Sequence, residues 1–368
     1  MQNHPRPHRV SLRDIAKLVG VSHVTVSLAL RDNPQVSAAM REKIKKVADE
    51  VGYRPDPMLS ALSSYRRSKA SASFRSVIGW LNAWKDPDQL RGYEEFDAYW
   101  NGAYQAAEKL GYRLEEFRLG NGCSPARLHQ ILSARGIRGL LLPPHSKHPD
   151  WGDFPWDSYF VVKFGRSLHQ PQTHLATADQ VLNTVTAFEK MMELGYQRIG
   201  FVTNEPYLRV HGHLFEAGFV IAQHSVEKSR QLPVLSLVGL NADQTTKHLR
   251  AWVKKHKPDA IFSDIRQIRS LLDKAALNVP EDVALATTTL IDTGVDSGID
   301  QHPEEIGRVG MLLLNSIIND RAIGTPQIFR QVLVEGSWVA GSSMPSMSSR
   351  HEHAGPSAKG KPPTRRRS

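Results

Sequence analysis

One exposed helix face near the start of the chain combines an imidazole, a hydroxyl, a guanidinium and two apolar side chains. The segment after Ser22, HVTVSLALR, has apolar residues at positions i, i+3 and i+4, which predicts a helix that buries Val26, Ala29 and Leu30. The opposite face then carries the remaining large side chains: His23, Val24, Ser27, Leu28 and Arg31. Such a face can contact base edges in the DNA major groove, where apolar side chains fit thymine methyl groups.

Hydroxyl groups cluster near the beginning of the same helix, on Ser22, Thr25 and Ser27. Hydroxyls near a helix N-terminus can bind phosphate oxygens, contacts that position a protein on DNA without reading its sequence. The charge distribution agrees, because residues 1–75 contain 14 Lys and Arg against six Asp and Glu. Residues 341–368 contain six against one, whereas the body between them is nearly neutral. A solvated basic surface, or a small helical domain that binds protein, is the alternative.

Two further helices are expected around this segment. Ser11 and Asp14 have the spacing of a capping box, and Gly20 can end the helix that they begin. After the break at Asp32-Asn33-Pro34, Ser37 can cap a helix that buries a stripe of four side chains and ends at Gly52. The stripe consists of Met40, Ile44, Val47 and Val51. Two short helices around a Gly-Val-Ser turn predict a helix-turn-helix domain over residues 11–55.

From Val77 onward, apolar strand segments alternate with amphipathic helices. The predicted strands are VIGWL, GIRGLLLPP, YFVVKFG, RIGFVTN, DAIFSD and DVALAT, and helices lie between them. This alternation is typical of parallel sheets with both faces covered, and about 260 residues are too many for one sheet. The sequence therefore predicts an α/β body of two subdomains over residues 76–342. Residues 343–368 are rich in Ser, Pro and basic side chains and are predicted to be a disordered tail.

The residues from Ser11 to Pro55, SLRDIAKLVGVSHVTVSLALRDNPQVSAAMREKIKKVADEVGYRP, resemble the DNA-binding domain of the lactose/galactose repressor (LacI/GalR) family. Weaker matches follow in the body, at Asp179, at Arg209-Val-His-Gly212, at Val279–Val283 and at Gly298–Gly307. The resemblance implies a periplasmic-binding-protein-like body, operator DNA bound by a homodimer, and a small effector, a sugar or sugar derivative, between two subdomains. The expected protein is thus an allosteric transcriptional regulator, most often a repressor.

The resemblance also assigns the segment between head and body. Residues 56–75 correspond to the hinge helix of the family and its linker, and Leu62 matches the leucine that enters the minor groove. An apolar wedge of this kind unstacks a base step and bends the duplex. Leu59 replaces a common alanine, and Leu28 stands where an arginine is frequent, so a typical operator is not expected. A flexible linker with a nascent turn is the alternative for this segment.

Effector-binding residues are expected where strand ends of the two subdomains converge. Arg209 follows the strand RIGFVTN and could hold a carboxylate or sugar hydroxyls in a planar fork. Asp179 and Asp264 could accept hydrogen bonds from sugar hydroxyls, although Asp179 precedes a helix and could equally be its cap. Four aromatic residues could form a stacking wall or belong to the core: Trp84, Phe96, Tyr99 and Trp100.

Several classes of protein are excluded by what the sequence lacks. Cys123 is the only cysteine, so no internal disulfide is expected, and no base that could activate it is evident. Histidine pairs such as His145 and His148 lack the spacing of a metal site, and no phosphate-binding loop is present, so neither catalysis nor a cofactor is expected. No signal peptide or membrane span is recognisable, which predicts a cytoplasmic, nucleoid-associated protein. A sugar-binding protein, or a sugar-processing enzyme with a fused helix-turn-helix, is the alternative.

A dimer rather than a tetramer is expected. The chain after Gly341 contains no Leu, Ile or Val, so it cannot form the heptad seam of a tetramerising helix. The apolar helix Ile306–Ile318 is the predicted contribution to a two-fold interface. The residues that precede the helix-turn-helix, 1–10, are expected to be flexible.

Overall fold

The structure is a computed structural model that describes residues 10–30, 35–53, 76–120, 122–145, 148–204 and 213–348. The chain divides into two compact units, Met1–Ser73 and Phe74–Ser368. Arg31, Leu59 and Leu62, together with Arg209, lie outside the described residues, so the predictions that concern them stay predictions.

The first unit contains three helices, α1 (Leu12–Val19), α2 (His23–Ala29) and α3 (Ala38–Glu50). The Asp14 carboxylate accepts hydrogen bonds from the N–H and the hydroxyl of Ser11, at 2.9 and 2.7 Å, and Gly20 ends α1 with a φ of +79°. The predicted capping box and the predicted end of α1 at Gly20 are therefore confirmed. The fully buried side chains of the shared core come from all three helices: Ile15, Val26, Ala29 and Ile44. The predicted stripe of α3 faces this core: Ile44 is fully buried, and Met40, Val47 and Val51 are half-buried and pack against it. Ala48 is buried in the same core.

The second unit contains two six-stranded sheets. The first has the order β11-β5-β4-β3-β1-β2 and is parallel throughout. Its strands are β1 (Ser76–Asn82), β2 (Tyr112–Arg118), β3 (Gly139–Leu142), β4 (Phe160–Phe164), β5 (His174–Ala178) and β11 (Gln331–Val334). The helices that cover it are α4 (Asp88–Gly92), α5 (Glu94–Leu110), α6 (Pro125–Ala134) and α11 (Pro303–Asn319), with a 3₁₀ turn at Trp156–Ser158.

The second sheet has the order β12-β10-β9-β8-β6-β7, and only the pairing of β10 with the edge strand β12 is antiparallel. Its strands are β6 (Ile199–Thr203), β7 (Leu235–Ser236), β8 (Ala260–Ser263), β9 (Ala284–Thr287), β10 (Gly298–Asp300) and β12 (Ser337–Val339). The associated helices are α7 (Gln180–Glu193), α8 (Leu214–Gln223), α9 (Ala242–His256) and α10 (Ile268–Lys274). The prediction of two α/β subdomains is confirmed.

The chain crosses between the two sheets three times, after β5, after β10 and after β11. The crossings that follow β5 and β11 are tied together, because the Asp179 N–H donates to the Val334 carbonyl at 2.8 Å and the Gly336 N–H donates to Asn183 Oδ1 at 2.7 Å. All six predicted strands are present. The seven-residue strand β2 and the short strands β5, β7 and β10 to β12 were missed, and α7 begins only at Gln180 because Thr177 and Ala178 belong to β5.

Helices α5 and α11 pack closely because glycines face the opposing backbone. A Cβ atom on Gly307 would lie 2.1 Å from the Tyr99 carbonyl oxygen, and one on Gly102 would lie 1.8 Å from the Glu304 carbonyl oxygen. The apolar face of α11, including Ile306 and Leu314, is buried in the core of its own subdomain. The predicted use of this helix as a dimer interface is therefore corrected: its apolar stripe packs inside the subdomain, and Leu312 is the large apolar side chain that it exposes.

The body also extends past the predicted boundary at Ser342. The Asp296 carboxylate accepts hydrogen bonds from the N–H groups of Ser342 and Ser343, at 2.7 and 2.8 Å, and Met344 is buried in the core around α7 and α8. The Met347 N–H donates to the Leu194 carbonyl at 2.9 Å. The predicted start of the disordered tail at residue 343 is therefore wrong, because residues 343–347 pack on the second subdomain.

Candidate functional site

The beginning of α2 is organised by two hydroxyl groups. Ser22 Oγ accepts a hydrogen bond from the Thr25 N–H at 3.0 Å and lies 2.8 Å from Thr25 Oγ1. Ser22 therefore satisfies one of the N–H groups that a helix start leaves free, and the two hydroxyls hold each other in place. One of the two O–H groups is used in this pair, and the other remains available to donate a hydrogen bond to a phosphate oxygen.

The faces of α2 separate largely as expected. Val26 and Ala29 are buried, whereas His23 is exposed and Val24 is 54% exposed. Ser27 is half-buried, and Leu28 is half-buried against the core of the head instead of projecting fully outward. Leu30, expected to be buried, is also only half-buried. Because a side chain engaged in packing has less surface for DNA, Val24 becomes the principal apolar candidate for base contact.

A cavity of about 570 Å³ lies in the body where strands of both sheets end. Such crevices at the carboxyl ends of parallel strands are the usual ligand sites of α/β proteins. Its lining includes these residues from the first subdomain: Trp84, Tyr93, Glu95, Phe96, Tyr99, Pro144, His145, His148, Gly165, Arg166, Ser167 and Thr177. From the second subdomain it includes Gln180, Asn204, Phe215, Asp264, Ile265, Arg266, Gln267, Thr288, Thr289 and Gln301.

An aromatic wall forms one side of this cavity. Trp84, Tyr93, Phe96 and Tyr99 follow one another in a chain of ring contacts, with centroids 5.5 to 6.1 Å apart. The Trp84 indole N–H donates to the Pro144 carbonyl at 2.9 Å, which fixes the ring. Three of these residues were expected from the sequence, and Tyr93 was missed. Trp100, the fourth expected residue, packs edge-on against the core residue Trp80 and does not line the cavity.

Asp264 follows β8 and lies in the cavity. The Thr203 hydroxyl donates to Asp264 Oδ2 at 2.7 Å. Burial raises the pKa of Asp264 to about 6, against the opposing effect of the donated hydrogen bonds. Burial disfavours the ionised form, so a carboxylate kept in a cavity is a candidate acceptor for ligand hydroxyls.

Asp179 has a different position from the one expected. Its carboxylate accepts a hydrogen bond from the Leu182 N–H at 3.0 Å and thereby caps α7. Its neighbours Thr177 and Gln180 line the cavity, whereas Asp179 does not. The structure therefore supports the alternative that Asp179 is a helix cap.

His145 lines the cavity as a neutral ring that is hydrogen-bonded to two backbone groups. Its Nε2 accepts a hydrogen bond from the Ala83 N–H at 3.0 Å, so Nδ1 carries the proton and donates to the Pro143 carbonyl at 2.7 Å. Burial lowers the pKa of His145 to about 4, so the ring stays neutral near pH 7. Within the described ranges, no group of three or more His, Cys, Asp and Glu side chains could hold a metal ion.

An ion-pair cluster joins the two subdomains across the cavity. Arg266, after β8, pairs with Glu95 at the start of α5 and with Asp292 Oδ2 at 3.3 Å. The guanidinium also lies over the Tyr93 ring, 5.6 Å from its centroid. Glu95 and Arg266 are 171 residues apart in the sequence, and the sequence provided no signal that would pair them.

Comparison with known proteins agrees with both units. Residues 11–56 match the model of "Bacterial regulatory proteins, lacI family", and residues 188–344 match that of "Periplasmic binding protein-like domain". The chain therefore combines a LacI-type DNA-binding head with a periplasmic-binding-protein-like body. The HTH-type transcriptional regulator PtxS of Pseudomonas putida is 25% identical over 324 residues, which cover 84% of this chain and 89% of that one.

Solved structures show the same fold. The complex of the transcriptional regulator CelR with cellobiose has a TM-score of 0.53 and 20% identity, covering 91% of this chain and all of that one. The lac repressor dimer bound to operator has a TM-score of 0.52 and 16% identity, covering 92% and 100%. The LacI-type head and the relative named as an HTH-type transcriptional regulator identify the chain as a DNA-binding transcriptional regulator, a class that is not enzymatic. Among the helices that the structure describes, none has the length and apolar character needed to cross a membrane.

Proposed function

We propose that this regulator binds a pseudopalindromic operator as a homodimer and that a small effector, a sugar or sugar derivative, controls its affinity for DNA. The observation that carries the proposal is the cavity of about 570 Å³ bounded by both subdomains of the body. Ligand sites of α/β proteins fall in this range of volume, and they combine apolar walls with a few polar groups. In the cell, such a protein would act in the cytoplasm on nucleoid DNA.

The proposed roles within the head concern residues 22–31. Ser22, Thr25 and Ser27 position α2 on phosphates, while His23, Val24, Leu28 and Arg31 contact base edges. For the hinge segment, the family resemblance implies that Leu62 enters the minor groove and that Leu59 also contributes to DNA binding.

The roles within the cavity follow from its walls. Trp84 and Tyr99 offer ring faces for the apolar side of a sugar, and Asp264 accepts hydrogen bonds from its hydroxyls. Arg209 binds a polar group of the effector, and Asp179 holds the first turn of α7, whose residue Gln180 lines the cavity.

Control of DNA affinity requires that the effector distinguish two arrangements of the body. A ligand between the subdomains contacts both, and the Glu95–Arg266 pair lies at the same junction, so closure and opening change its environment. The coupling between effector and operator is reciprocal and is typically about 1–3 kcal/mol, or about 5- to 150-fold in affinity.

Operator selection followed by a ligand panel tests this function. The full chain, incubated with a random duplex library, is expected to select one pseudopalindromic sequence. Neutral and acidic mono- and disaccharides are then added, and at least one is expected to change affinity for that operator about 5- to 150-fold. Nonspecific duplex at the same salt concentration is the control. Selection of no common sequence, or an operator affinity that no sugar changes, would contradict the proposal.

A dimer in solution is expected, with or without the basic tail. Ile328 is 82% exposed, and Phe329 and Leu333 beside it are also exposed, so the edge strand β11 and the residues before it offer an apolar surface for a second copy. Light scattering of the full chain and of a chain ending at Ser348 measures the assembly. Because residues 349–368 carry six Lys and Arg against one Glu, their removal is expected to make the salt dependence of DNA binding shallower. A tetramer that becomes a dimer on truncation would contradict this expectation.

A further inference from the structure

Four basic side chains lie close to one another beyond the ends of β3 and β4, and two of them line the cavity. Arg166 and His148 line the cavity. The His148 ring packs at a tilt against His169, with centroids 4.2 Å apart. Burial lowers the pKa of His148, and the charges of His169 and of Lys163, the penultimate residue of β4, lower it further. Burial likewise lowers the pKa of Lys163, and the charge of Arg166 adds to this effect. We call these four residues the basic wall.

The two strongest cations of the basic wall have no carboxylate partner among the described residues. Arg166 donates one hydrogen bond, from Nη2 to Gln331 Oε1 at 2.9 Å, and its buried Nε has none. The Lys163 ammonium donates to the Leu168 carbonyl at 2.8 Å, which leaves two of its three N–H groups for another acceptor. Asp179 acts on Arg166 only at longer range, and its carboxylate already caps α7.

The contrast with Arg266 shows that this is not a general property of the cavity. Arg266 is neutralised by Glu95 and Asp292. In the basic wall, burial lowers the pKa of Lys163 to about 8 and also lowers the pKa of Arg166, and the two charges repel each other. Desolvated like charges are unfavourable, and an anion placed beside them would relieve both the repulsion and the missing hydrogen bonds.

We propose that the basic wall binds an acidic group of the effector, so that the effector is a sugar derivative carrying a carboxylate or a phosphate. This inference rests on the proposed function of the cavity as an effector site. The acidic group accepts hydrogen bonds from Arg166 and is stabilised by the nearby charge of Lys163, and the polyol part extends toward Asp264 and the aromatic wall. A neutral sugar leaves the two cations without an acceptor.

A matched series of ligands tests the proposal on the full chain. Glucose, gluconate, glucuronate, glucose 6-phosphate and inorganic phosphate are titrated at constant ionic strength, and affinity is measured by calorimetry and thermal stabilisation. An acidic sugar is expected to bind about 10- to 100-fold more tightly than glucose, the range for hydrogen bonds to charged groups. Preference for gluconate and glucuronate assigns a carboxylate, and preference for glucose 6-phosphate assigns a phosphate.

Two variants and a control separate binding from a structural role. Arg166→Gln and Lys163→Met are expected to abolish the preference for the acidic sugar. Lys255→Gln removes an exposed charge on α9 and is expected to keep the preference. If Arg166 only supported β11 through Gln331, Arg166→Gln would lower the unfolding temperature and would weaken the binding of acidic and neutral sugars equally.

Equal affinity of glucose and its acidic derivatives, or binding of none of the series, would overturn the inference. These results are distinguishable from a failure of the proposed function. A neutral sugar that alters operator affinity would leave that function intact while excluding the acidic effector. A chain that selects no operator would overturn the function whatever the cavity binds.

Discussion

The variant Asp264→Asn is expected to lose effector control about 10- to 100-fold and yet to be at least as stable as the parent protein at pH 7.5. The loss follows from the hydrogen bonds that a carboxylate in the cavity offers to ligand hydroxyls. The stability follows from the cost of holding that carboxylate in the folded protein, where burial raises its pKa from 3.8 to about 6. A side chain that is costly for folding but required for binding is typical of a functional site.

The pH dependence has a definite sign. A carboxyl group whose pKa is raised in the folded state destabilises the protein as pH rises from about 4 to above 6, by at most about 3 kcal/mol. Thermal unfolding of the parent protein between pH 4.5 and 7.5 should contain this contribution, and Asp264→Asn should lack it. Asp243→Asn, which changes an exposed carboxylate at the start of α9, is the control. Lower stability of Asp264→Asn at pH 7.5, with unchanged effector control, would contradict the assignment.

Substitution of Val24 is expected to change which operator the protein prefers. Val24 is the most exposed apolar side chain of α2, and the loss of one good base contact costs about 1–3 kcal/mol, or about 5- to 150-fold in discrimination at one base pair. Thr25→Ala should instead weaken binding to all DNA sequences alike, because the Thr25 hydroxyl is placed to bind a phosphate. Leu28→Arg should have a smaller effect on preference than a change at Val24, since Leu28 is half-buried in the core of the head.

Operator selection from a random library by the parent protein, Val24→Ala, Leu28→Arg and Thr25→Ala measures these effects. Leu18→Ala is the matched control, because Leu18 is an apolar side chain of α1 that is 63% exposed but lies outside α2. Identical preferences of the parent and Val24→Ala would remove Val24 from base readout. A changed operator preference in Leu18→Ala would show that the change in preference is not specific to substitutions in α2.

The sequence by itself determined the head and the class of the body. Three local interactions define the helices of the head: the capping box at Ser11 and Asp14, the helix end at Gly20 and the N-cap at Ser22. Each joins residues at most four positions apart, so its pattern can be recognised in the sequence. The alternation of buried strands and amphipathic helices likewise predicted two α/β subdomains. Short edge strands such as β11 and β12 were missed because their residues pair with distant strands and have no strong pattern of their own.

Only the tertiary structure decided which side chains meet in the cavity. It placed Asp264 inside, left Asp179 as a helix cap, and moved Trp100 into the core. It also joined Glu95 to Arg266 across 171 residues and brought the loops after β3 and β4 together as the basic wall. Capping and amphipathic patterns are local along the chain, whereas a cavity is formed by strand ends that come from distant parts of it. The residues of such a site therefore share no spacing that the sequence could reveal.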